Sequence, residues 1–370
     1  MSDQLHPVLR LGDTHDAVVV VRGILHKVGC LGDDDAESQI VDEHLSTGIR
    51  FFQQTHGLKA DGIVGSQTWA RLMEAQWDLG ERELQFTPEL LMRGRDVTAL
   101  QRRLSDLGFN CGRVDGIFGP RTDVALREFQ ENLGLEVDGV CGAETVTAFH
   151  GLARAITGGR AERLRDSHAF DRQRTGLAGK VIVLDPGHGG VDTGSSANGL
   201  IERDVVADIA LRLERLLSQQ DAVVLMTRPP HASAGAVTDD EARAMFANAQ
   251  QADAVLSLHL DECNSPRANG VAAFYFGGGR SGGHSETGQI LAWELVESLS
   301  ETTGLTNLRA HTRQWDLLRL TTMPAVRLYM GYMSNTTDAS KFADETFREL
   351  VAQSLASALA ATFTPVTVSV

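Results

Sequence analysis

Short apolar runs alternate with helical stripes through the second half of the chain, from about residue 180 to 363. The run Val181–Leu184 consists of β-branched and aliphatic residues and predicts a buried strand. After it, Glu202 opens a stretch whose apolar positions recur at helical spacing as far as Leu217. Further strands are predicted over 222–226, 254–260 and 270–276, and further helices over 239–249, 286–302, from 338 onward and over 347–363. This alternation predicts an α/β domain with a mixed sheet covered by helices.

The first half of the chain contains an internal repeat of helical character. The pair Phe52-Gln53, with the glycines that follow it, recurs 77 residues later as Phe129-Gln130. Each copy is predicted as three helices, with apolar positions such as Leu100 and Leu104 at helical spacing. We therefore expect two small all-α three-helix domains, a polar linker, the α/β domain and a mobile tail. The predicted boundaries are 1–80, 88–152, 153–179, 180–363 and 364–370.

The net charge, the N-terminal residues and the cysteines limit which partners and which cellular location we expect. The chain has 370 residues and a formal net charge of −15. This acidic balance argues against nucleic acid or an anionic membrane as a partner held by long-range attraction, and no stretch has the length of a transmembrane helix. The start, Met1–Pro7, lacks the basic and apolar regions of a secretory signal. Four scattered cysteines without CxxC spacing indicate buried reduced thiols, so we expect a cytoplasmic location.

Three candidate metal ligands lie at or near the ends of predicted strands and helices. His188 follows the breaker cluster Asp185-Pro186-Gly187, Glu202 opens a helix, and His259 lies near the end of a second apolar strand. Two imidazoles and one carboxylate suit a catalytic zinc, which takes three protein ligands and leaves one position for water. The separations along the chain are long, so spacing alone does not establish a metal site. Taken singly, each residue also fits a structural role, as a strand-end histidine or a first-turn carboxylate.

The motifs from residue 185 onward resemble those of zinc-dependent N-acetylmuramoyl-L-alanine amidases. The order is Asp185–Gly190, Glu202, Thr227-Arg228, Arg243 with Ala247-Asn248, Ser257–His259, Pro324–Val326 and Gly331–Asn335. The resemblance implies that His188, Glu202 and His259 bind zinc and that the ligand is a muropeptide or a peptidoglycan precursor. It also implies a metal-activated water that attacks the amide between N-acetylmuramic acid and L-alanine. Asp261 and Asn335 are expected binding residues on the same basis.

Two positions depart from the family pattern. Where the family has its general-base glutamate, this chain has Tyr329, whose phenol is a poor base at neutral pH. Arg327 replaces an aliphatic residue and shares a strand face with Tyr329, so its guanidinium either disfavours a cation or grips a carboxylate or phosphate. Loss of a general base typically costs about 10²- to 10⁴-fold in rate. The alternative is a register error, or a base relocated to Asp261 or Glu262; the sequence favours impaired hydrolysis.

The N-terminal repeats resemble small three-helix peptidoglycan-binding domains. The second copy is the nearer match, with Arg93-Gly94, Leu100–Leu104 and the turn Asp115–Thr122. The first copy lacks that turn and has an acidic loop, 32–35, in its place. The resemblance implies wall stems and glycan as ligands. A helical scaffold that contacts protein is the alternative, since the motif residues are mostly glycines and core aromatics.

Together, the repeats, the start without a signal and Tyr329 resemble a group of actinobacterial amidase-like regulators. That resemblance implies a non-hydrolytic regulator of peptidoglycan precursor synthesis, with an early cytosolic enzyme of the pathway and a Ser/Thr kinase as partners. A working zinc amidase is the second hypothesis, because zinc as a Lewis acid can retain slow turnover. An exported wall-binding module is the third.

Overall fold

The computed structural model describes residues 6–32, 37–152, 174–229, 239–263, 265–277 and 284–365. The chain divides into two compact units, one built from the repeats and one from the α/β region. Most of the predicted linker, residues 153–173, lies outside the described residues, as do 278–283 in a glycine-rich stretch and 366–370 of the predicted tail. In the part of the chain that the structure describes, no helix is long and apolar enough to cross a membrane.

Both repeats fold as the sequence predicts, as three short helices around a small core. The helices are α1 (Ala17–Lys27), α2 (Glu43–Thr55), α3 (Ser66–Ala75), α4 (Arg95–Asp106), α5 (Pro120–Asn132) and α6 (Ala143–Leu152). Phe52 and Trp69 are buried in the first core, and Phe118, Phe129 and Phe149 are buried in the second. The two cores are separate, so each repeat buries an apolar centre of its own.

A buried glutamine fixes the turn between successive helices. The amide of Gln101 donates to Asp115, to the Ile117 carbonyl and to Thr122, while its oxygen accepts from the Gly116 N–H. The same contacts recur around Gln53 and Gln130. Every hydrogen-bonding group of each side-chain amide is therefore used by the fold, as burial of an amide requires.

The first helix of the first repeat uses a charged pair in place of this glutamine. Arg22, which is 1% exposed, donates to the Ile40 carbonyl and forms an ion pair with Asp42 at 2.6 Å. Asp42 also caps α2 by accepting from the Leu45 N–H at 2.7 Å. The two repeats thus share a helical framework but differ at the turn where the sequences also differ.

The α/β unit contains a six-stranded mixed sheet, which confirms the predicted fold class. The strands are β1 (Val181–Pro186), β4 (Val223–Met226), β5 (Ala254–Asp261), β6 (Val271–Phe276), β7 (Asn307–Arg313) and β8 (Ala325–Tyr332), in the order β4-β1-β5-β8-β6-β7. A small hairpin of β2 (Ser196–Ala197) and β3 (Leu200–Ile201) follows β1. Within the six-stranded sheet, all neighbouring strands are parallel except β6 and β8, which are antiparallel.

Helices cover both faces of this sheet and bury it. They are α7 (Glu202–Ser218), α8 (Asp240–Ala249), α9 (Glu286–Thr303), α10 (Asp316–Leu320), α11 (Thr336–Ala343) and α12 (Glu345–Phe363). Helices α7, α9 and α12 pack on the face that carries Ile182 and Leu184, while α8 and α10 pack on the face of Val183. Successive side chains of a strand point to opposite faces, so a strand buried on both sides is apolar throughout.

An ionic clamp joins α7 to α12. Asp208 accepts hydrogen bonds from Arg212 at 2.9 Å and from Arg348 at 2.5 Å, and Glu349 pairs with Arg212 and Arg215. Burial alone would raise the pKa of Asp208, but the two arginine hydrogen bonds outweigh it and the pKa lies below its usual value. The ionised carboxylate therefore stabilises the folded state.

Three expectations are wrong in detail. The segment 307–320, for which the sequence predicts neither strand nor helix, contains β7, with His311, and α10, which begins at Asp316. Cys263 is exposed, not buried, and the four cysteines are free thiols. The last residues assigned to the linker pack on the α/β unit: Leu177 is buried in its core, and Gly176 donates to the Phe363 carbonyl.

Candidate metal centre

Two neighbouring strands bring the predicted ligands to one edge of the sheet. β1 and β5 are parallel partners, with Asp185 opposite Ser257, so their carboxyl ends lie side by side. His188 follows β1 in the left-handed region, with φ of 61°. A non-glycine residue in that region is strained and is held there only by its surroundings. The polar contacts around the turn supply that restraint.

The structure brings His188, Glu202 and His259 together. Glu202 Oε2 lies 3.0 Å from His188 Nε2, and Glu202 Oε1 lies 3.0 Å from His259 Nδ1. One ligand atom from each residue falls within 4.8 Å of the others. Glu202 and His259 are buried, at 1% and 7% exposure, while His188 is partly exposed. Two imidazoles and one carboxylate converging on one point, open on one side, form a donor set suited to a divalent metal ion.

Burial and hydrogen bonds act in opposite directions on the protons of this group. Burial alone would raise the pKa of Glu202, but hydrogen bonds from both histidines hold it far below its usual value. Burial lowers the pKa of His259. Burial would also lower the pKa of His188, but hydrogen bonds to Glu202 and Asp192 raise it overall. The carboxylate is therefore ionised at neutral pH, as metal binding requires.

Asp192 supports His188 from the side away from the other ligands. Its Oδ2 lies 2.8 Å from His188 Nδ1, and its Oδ1 accepts from the Gly194 N–H at 3.0 Å. A carboxylate on the second nitrogen of a ligating histidine fixes the ring's orientation and tautomer. The sequence analysis missed Asp192, although its position four residues after His188 in the same glycine-rich loop is a usable signal.

Gly187 and Gly194 have no side chains, which leaves space for the His259 and His188 rings. A Cβ at Gly187 would collide with the His259 ring. A Cβ at Gly194, which has φ of 64°, would lie 2.5 Å from His188 Cδ2 and 2.6 Å from Glu202 Oε2. Both glycines are therefore required by close approach of the ligand side chains to the backbone.

A buried polar network holds the turn between β1 and His188. Asp185, which is fully buried, accepts from Thr227 at 2.5 Å, from Ser257 at 2.6 Å and from Arg243. Arg243 also donates to the His188 carbonyl at 3.0 Å. Burial alone would raise the pKa of Asp185, but the Arg243 charge and the hydroxyl hydrogen bonds keep it below the usual value.

A second buried arginine secures the backbone of the same turn. Arg228 donates to the carbonyls of Pro186 at 2.8 Å and of Gly187 and Arg203 at 3.1 Å. Backbone carbonyls and a carboxylate thus use the donors of two arginines, which are well suited to fixed multiple contacts. The sequence motif contained both arginines, but their role as supports of the turn emerges only in the fold.

Tyr329 lies beside His259, on the next strand. β5 and β8 pair His259 with Tyr329, and the two rings have centroids 5.3 Å apart. Burial raises the pKa of the Tyr329 phenol to about 12, against the lowering effect of the Arg327 charge. The Tyr329 phenol is therefore a neutral hydrogen-bonding group at physiological pH.

Arg327 forms an ion pair with Asp240 of the same chain. Its Nη2 lies 2.5 Å from Asp240 Oδ1 at the start of α8, and its guanidinium lies 4.9 Å over the Trp315 ring. Of the two roles considered for this residue, the carboxylate contact is the one formed. The side chain is 11% exposed, and its charge lies near enough to His259 to act on that pKa.

The remaining predicted residues lie at the edge of the group. Asp261 accepts from the Glu262 N–H at 2.8 Å, and burial raises its pKa. Neither Asp261 nor Glu262 belongs to the set of candidate metal ligands among the described residues. Asn335 caps α11 by accepting from Thr337 and Asp338, and donates to the Pro266 carbonyl. Its amide groups are occupied by the fold.

Comparison with known proteins places this geometry in a family. The sequence profile of N-acetylmuramoyl-L-alanine amidases matches residues 182–361, and that of a putative peptidoglycan binding domain matches 14–72 and 93–149. N-acetylmuramoyl-L-alanine amidase CwlM of Mycobacterium tuberculosis is 37% identical over 363 residues, which cover 95% of this chain and 88% of that protein.

Two further relatives each match about half of the chain. Probable cell wall amidase LytH of Staphylococcus aureus is 32% identical over 191 residues, covering 51% of this chain and 60% of that protein. The structure of N-acetylmuramoyl-L-alanine amidase AmiC2 of Nostoc punctiforme is 26% identical, with a TM-score of 0.44, over 49% of this chain and 96% of that one. Because the match to CwlM spans nearly the whole of both sequences, this chain belongs to the N-acetylmuramoyl-L-alanine amidase family and carries peptidoglycan-binding repeats ahead of its amidase domain.

Proposed function

We propose that this protein is an amidase-like regulator of peptidoglycan precursor synthesis that acts in the cytoplasm, binds a muropeptide or precursor, and hydrolyses it poorly. One observation carries the proposal: Tyr329, with a pKa of about 12, stands next to His259 where the family has a carboxylate base. The binding group is retained and the proton acceptor is replaced. A protein that holds this ligand without rapidly destroying it is suited to report its level.

The residues present fit zinc, and His188, Glu202 and His259 would hold it. When bound, zinc supplies a Lewis acid that polarises the scissile amide carbonyl. Asp192 would orient His188 through its second ring nitrogen, and Arg243 and Arg228 would keep the turn that carries it in place. The buried, ionised Glu202 contributes a negative charge that offsets part of the ion's charge.

The attacking water must lose a proton during amide hydrolysis, and Tyr329 cannot accept one readily. A neutral phenol donates a hydrogen bond, whereas an ionised carboxylate accepts a proton. The phenol is therefore placed to orient a bound carbonyl or sugar hydroxyl near His259. Binding and hydrolysis therefore make different demands on residue 329. A hydrogen-bond donor there serves ligand binding, whereas hydrolysis requires a base.

The proposed ligands of the repeats and the proposed protein partners rest on resemblance to related proteins. Each repeat matches the peptidoglycan-binding profile, which supports recognition of wall-type stems or glycan by the N-terminal unit. Similarity to amidase-like regulators supports an early cytosolic enzyme of precursor synthesis as the regulated partner and a Ser/Thr kinase as the modifying one. We propose no nucleic-acid partner, since the chain carries a net charge of −15.

An active zinc-dependent N-acetylmuramoyl-L-alanine amidase is the second candidate. The observation that favours it is the complete set of His188, Glu202 and His259 with the supporting Asp192, because zinc alone can sustain slow hydrolysis. On this alternative, the protein is a peptidoglycan hydrolase and its polymer substrate lies outside the membrane.

Calorimetry and product analysis on one sample separate the candidates. Full-length protein, with its zinc content measured, is titrated with muramyl dipeptide, and the same mixture is then assayed for released dipeptide. The proposal expects binding heat without turnover on the timescale of hours. Rapid release of dipeptide would establish the hydrolase instead. Absence of binding heat at millimolar ligand would contradict both candidates, since each requires the protein to bind muramyl dipeptide.

Regulation is tested separately, by adding the protein to each purified cytosolic enzyme of precursor synthesis. A change in the rate of one early enzyme, dependent on kinase treatment of the protein, is the expected result. Unchanged rates with every enzyme, treated or untreated, would contradict the regulatory role.

A further inference from the structure

Three aromatic side chains form a wall beside the candidate metal centre. The Phe274 and Tyr329 rings meet edge to face with centroids 5.6 Å apart, and Trp315 lies 5.0 Å from Phe274 and 6.3 Å from Tyr329. Tyr329 in turn touches His259. We call Phe274, Trp315 and Tyr329 the aromatic wall. It extends the site from the metal ligands across β8 and β6.

Two guanidiniums stack on this wall. Arg313, at the end of β7, lies 4.9 Å over the Phe274 ring, and Arg327 lies 4.9 Å over the Trp315 ring. Stacking on an aromatic face holds the planar guanidinium in one orientation and leaves its edge donors for another partner. Both positive charges are therefore fixed next to the site rather than spread on flexible side chains.

The donors of these two arginines are incompletely used. Arg313 is half-buried and its Nη1 donates to the carbonyl of its neighbour Thr312 at 2.9 Å, but no carboxylate of the described residues lies within ion-pair distance of it. Arg327 pairs with Asp240 through its Nη2, while its Nε is buried without a hydrogen-bond partner. A buried charged donor without a partner is costly unless something else satisfies it.

Local charge points the same way. Beside the aromatic wall, Arg313 has no ion-pair partner among the described residues and Asp240 balances Arg327, while the carboxylates of Asp261 and Glu202 also act on Tyr329. Guanidiniums bind carboxylates and phosphates through paired N–H donors. An anion is thus the ligand that would satisfy donors the fold leaves open.

We propose that Arg313, assisted by Arg327, forms an oxyanion subsite against the aromatic wall, which takes a carboxylate or phosphate group of the muramyl ligand. This rests on the proposed function, since it names what the bound ligand must carry beyond the amide at the metal ligands. Arg313 is the specificity-determining residue, because its donors are not committed to an ion pair within the described residues.

Matched ligands test the subsite in the full-length protein. Isothermal titration compares N-acetylmuramoyl-L-alanyl-D-glutamate, which has two carboxylates, with its diamide, which has none. The wild type is expected to bind the acid about tenfold to a hundredfold more tightly, the range for hydrogen bonds to a charged group. Arg313→Gln is expected to remove most of that preference, with a much larger loss of affinity for the acid than for the diamide.

Arg309→Gln is the matched control, since Arg309 is an exposed arginine on the same strand and its loss changes the net charge equally. It is expected to keep the preference for the acid. Competition by inorganic phosphate against the acid, present in the wild type and absent in Arg313→Gln, would support the subsite and indicate that a phosphate can also fill it.

The outcomes separate the two proposals. Equal affinity of the wild type for acid and diamide, or an equal loss for both ligands in Arg313→Gln, would overturn the subsite and leave the proposed function standing. An equal loss of preference in Arg309→Gln would attribute the effect to overall charge and also overturn it. Binding of neither ligand by the wild type would refute the proposed function and the subsite with it.

Discussion

Replacing Tyr329 with glutamate is expected to create hydrolytic activity. With a pKa of about 12, the phenol is ionised in only about one molecule in 10⁵ at pH 7, so the wild type has almost no base at this position. A carboxylate there is ionised in most molecules. A positioned general base contributes about 10²- to 10⁴-fold, and we therefore expect Tyr329→Glu to raise the rate of muramyl-L-alanine cleavage by at least about 100-fold.

The neighbours of Tyr329 set the limits of that gain. Removing the ring forfeits its contacts with His259, Phe274 and Trp315, which costs an estimated 1–3 kcal/mol of stability. Arg327 lies close enough to pair with the introduced carboxylate and to lower its basicity. The double variant Tyr329→Glu, Arg327→Leu removes that competitor and is expected to be the faster hydrolase.

The assay measures release of L-alanyl-peptide from a muramyl peptide by zinc-loaded, full-length protein. Tyr329→Gln is the matched control, because glutamine has the shape of glutamate and loses the same ring contacts but accepts no proton. Its rate should remain at the wild-type level, and only the glutamate variant should show a rate that rises with pH through a carboxylate pKa. Equal rates for the glutamate and glutamine variants, or wild-type turnover of about 1 s⁻¹ or more, would refute the reasoning.

Three further predictions concern the supports of the site and the fold. Asp185→Asn leaves the Arg243 charge buried without its carboxylate and should lower the free energy of unfolding by about 3–5 kcal/mol, measured by urea denaturation; a loss below about 1 kcal/mol would contradict the network's role. Asp192→Asn should weaken zinc binding by about 10- to 100-fold, measured by competition with a chelator, with little change in stability because the side chain is 64% exposed; unchanged zinc affinity would exclude Asp192 as the support of the ligand. The pKa of Asp208 is lower in the folded protein than its unfolded value of about 3.9, so its stabilising effect is complete above that pH and is lost as pH falls through the folded pKa. Thermal unfolding between pH 5 and about pH 2 should therefore show a steeper acid loss for the wild type than for Asp208→Asn, and identical slopes would contradict the clamp.

The elements with a strong apolar period could be predicted from the sequence, and the others could not. The helix expected over Glu202–Leu217 forms over Glu202–Ser218, because one apolar stripe faces the sheet along its whole length. β7 was missed because its residues are mostly charged and polar and none of them is buried, so it gives no alternating apolar signal. β4, the other edge strand of the sheet, was predicted because its residues are all apolar.

The same distinction holds at the site. His188, Glu202 and His259 were candidates from their places at the ends of patterned elements and from their residue types, but the family resemblance was needed to select them as one group. The buried arginines were not predictable as supports, because arginine is usually exposed and only the fold brings backbone carbonyls to Arg228 and Asp185 to Arg243.

The consequence of Tyr329 depends on register, which the sequence alone leaves open. A shift of one residue in a strand moves every side chain to the opposite face of the sheet. The structure pairs His259 with Tyr329 and Ser257 with Arg327, so Tyr329 and Arg327 lie on the same face of the sheet as the candidate metal ligand His259. With Asp240 paired to Arg327, and with Phe274 and Trp315 packed against Tyr329, these two residues are part of one packed arrangement. Introducing glutamate at 329 alone therefore tests the need for a base, whereas introducing leucine at 327 as well tests whether the Arg327 charge limits that base.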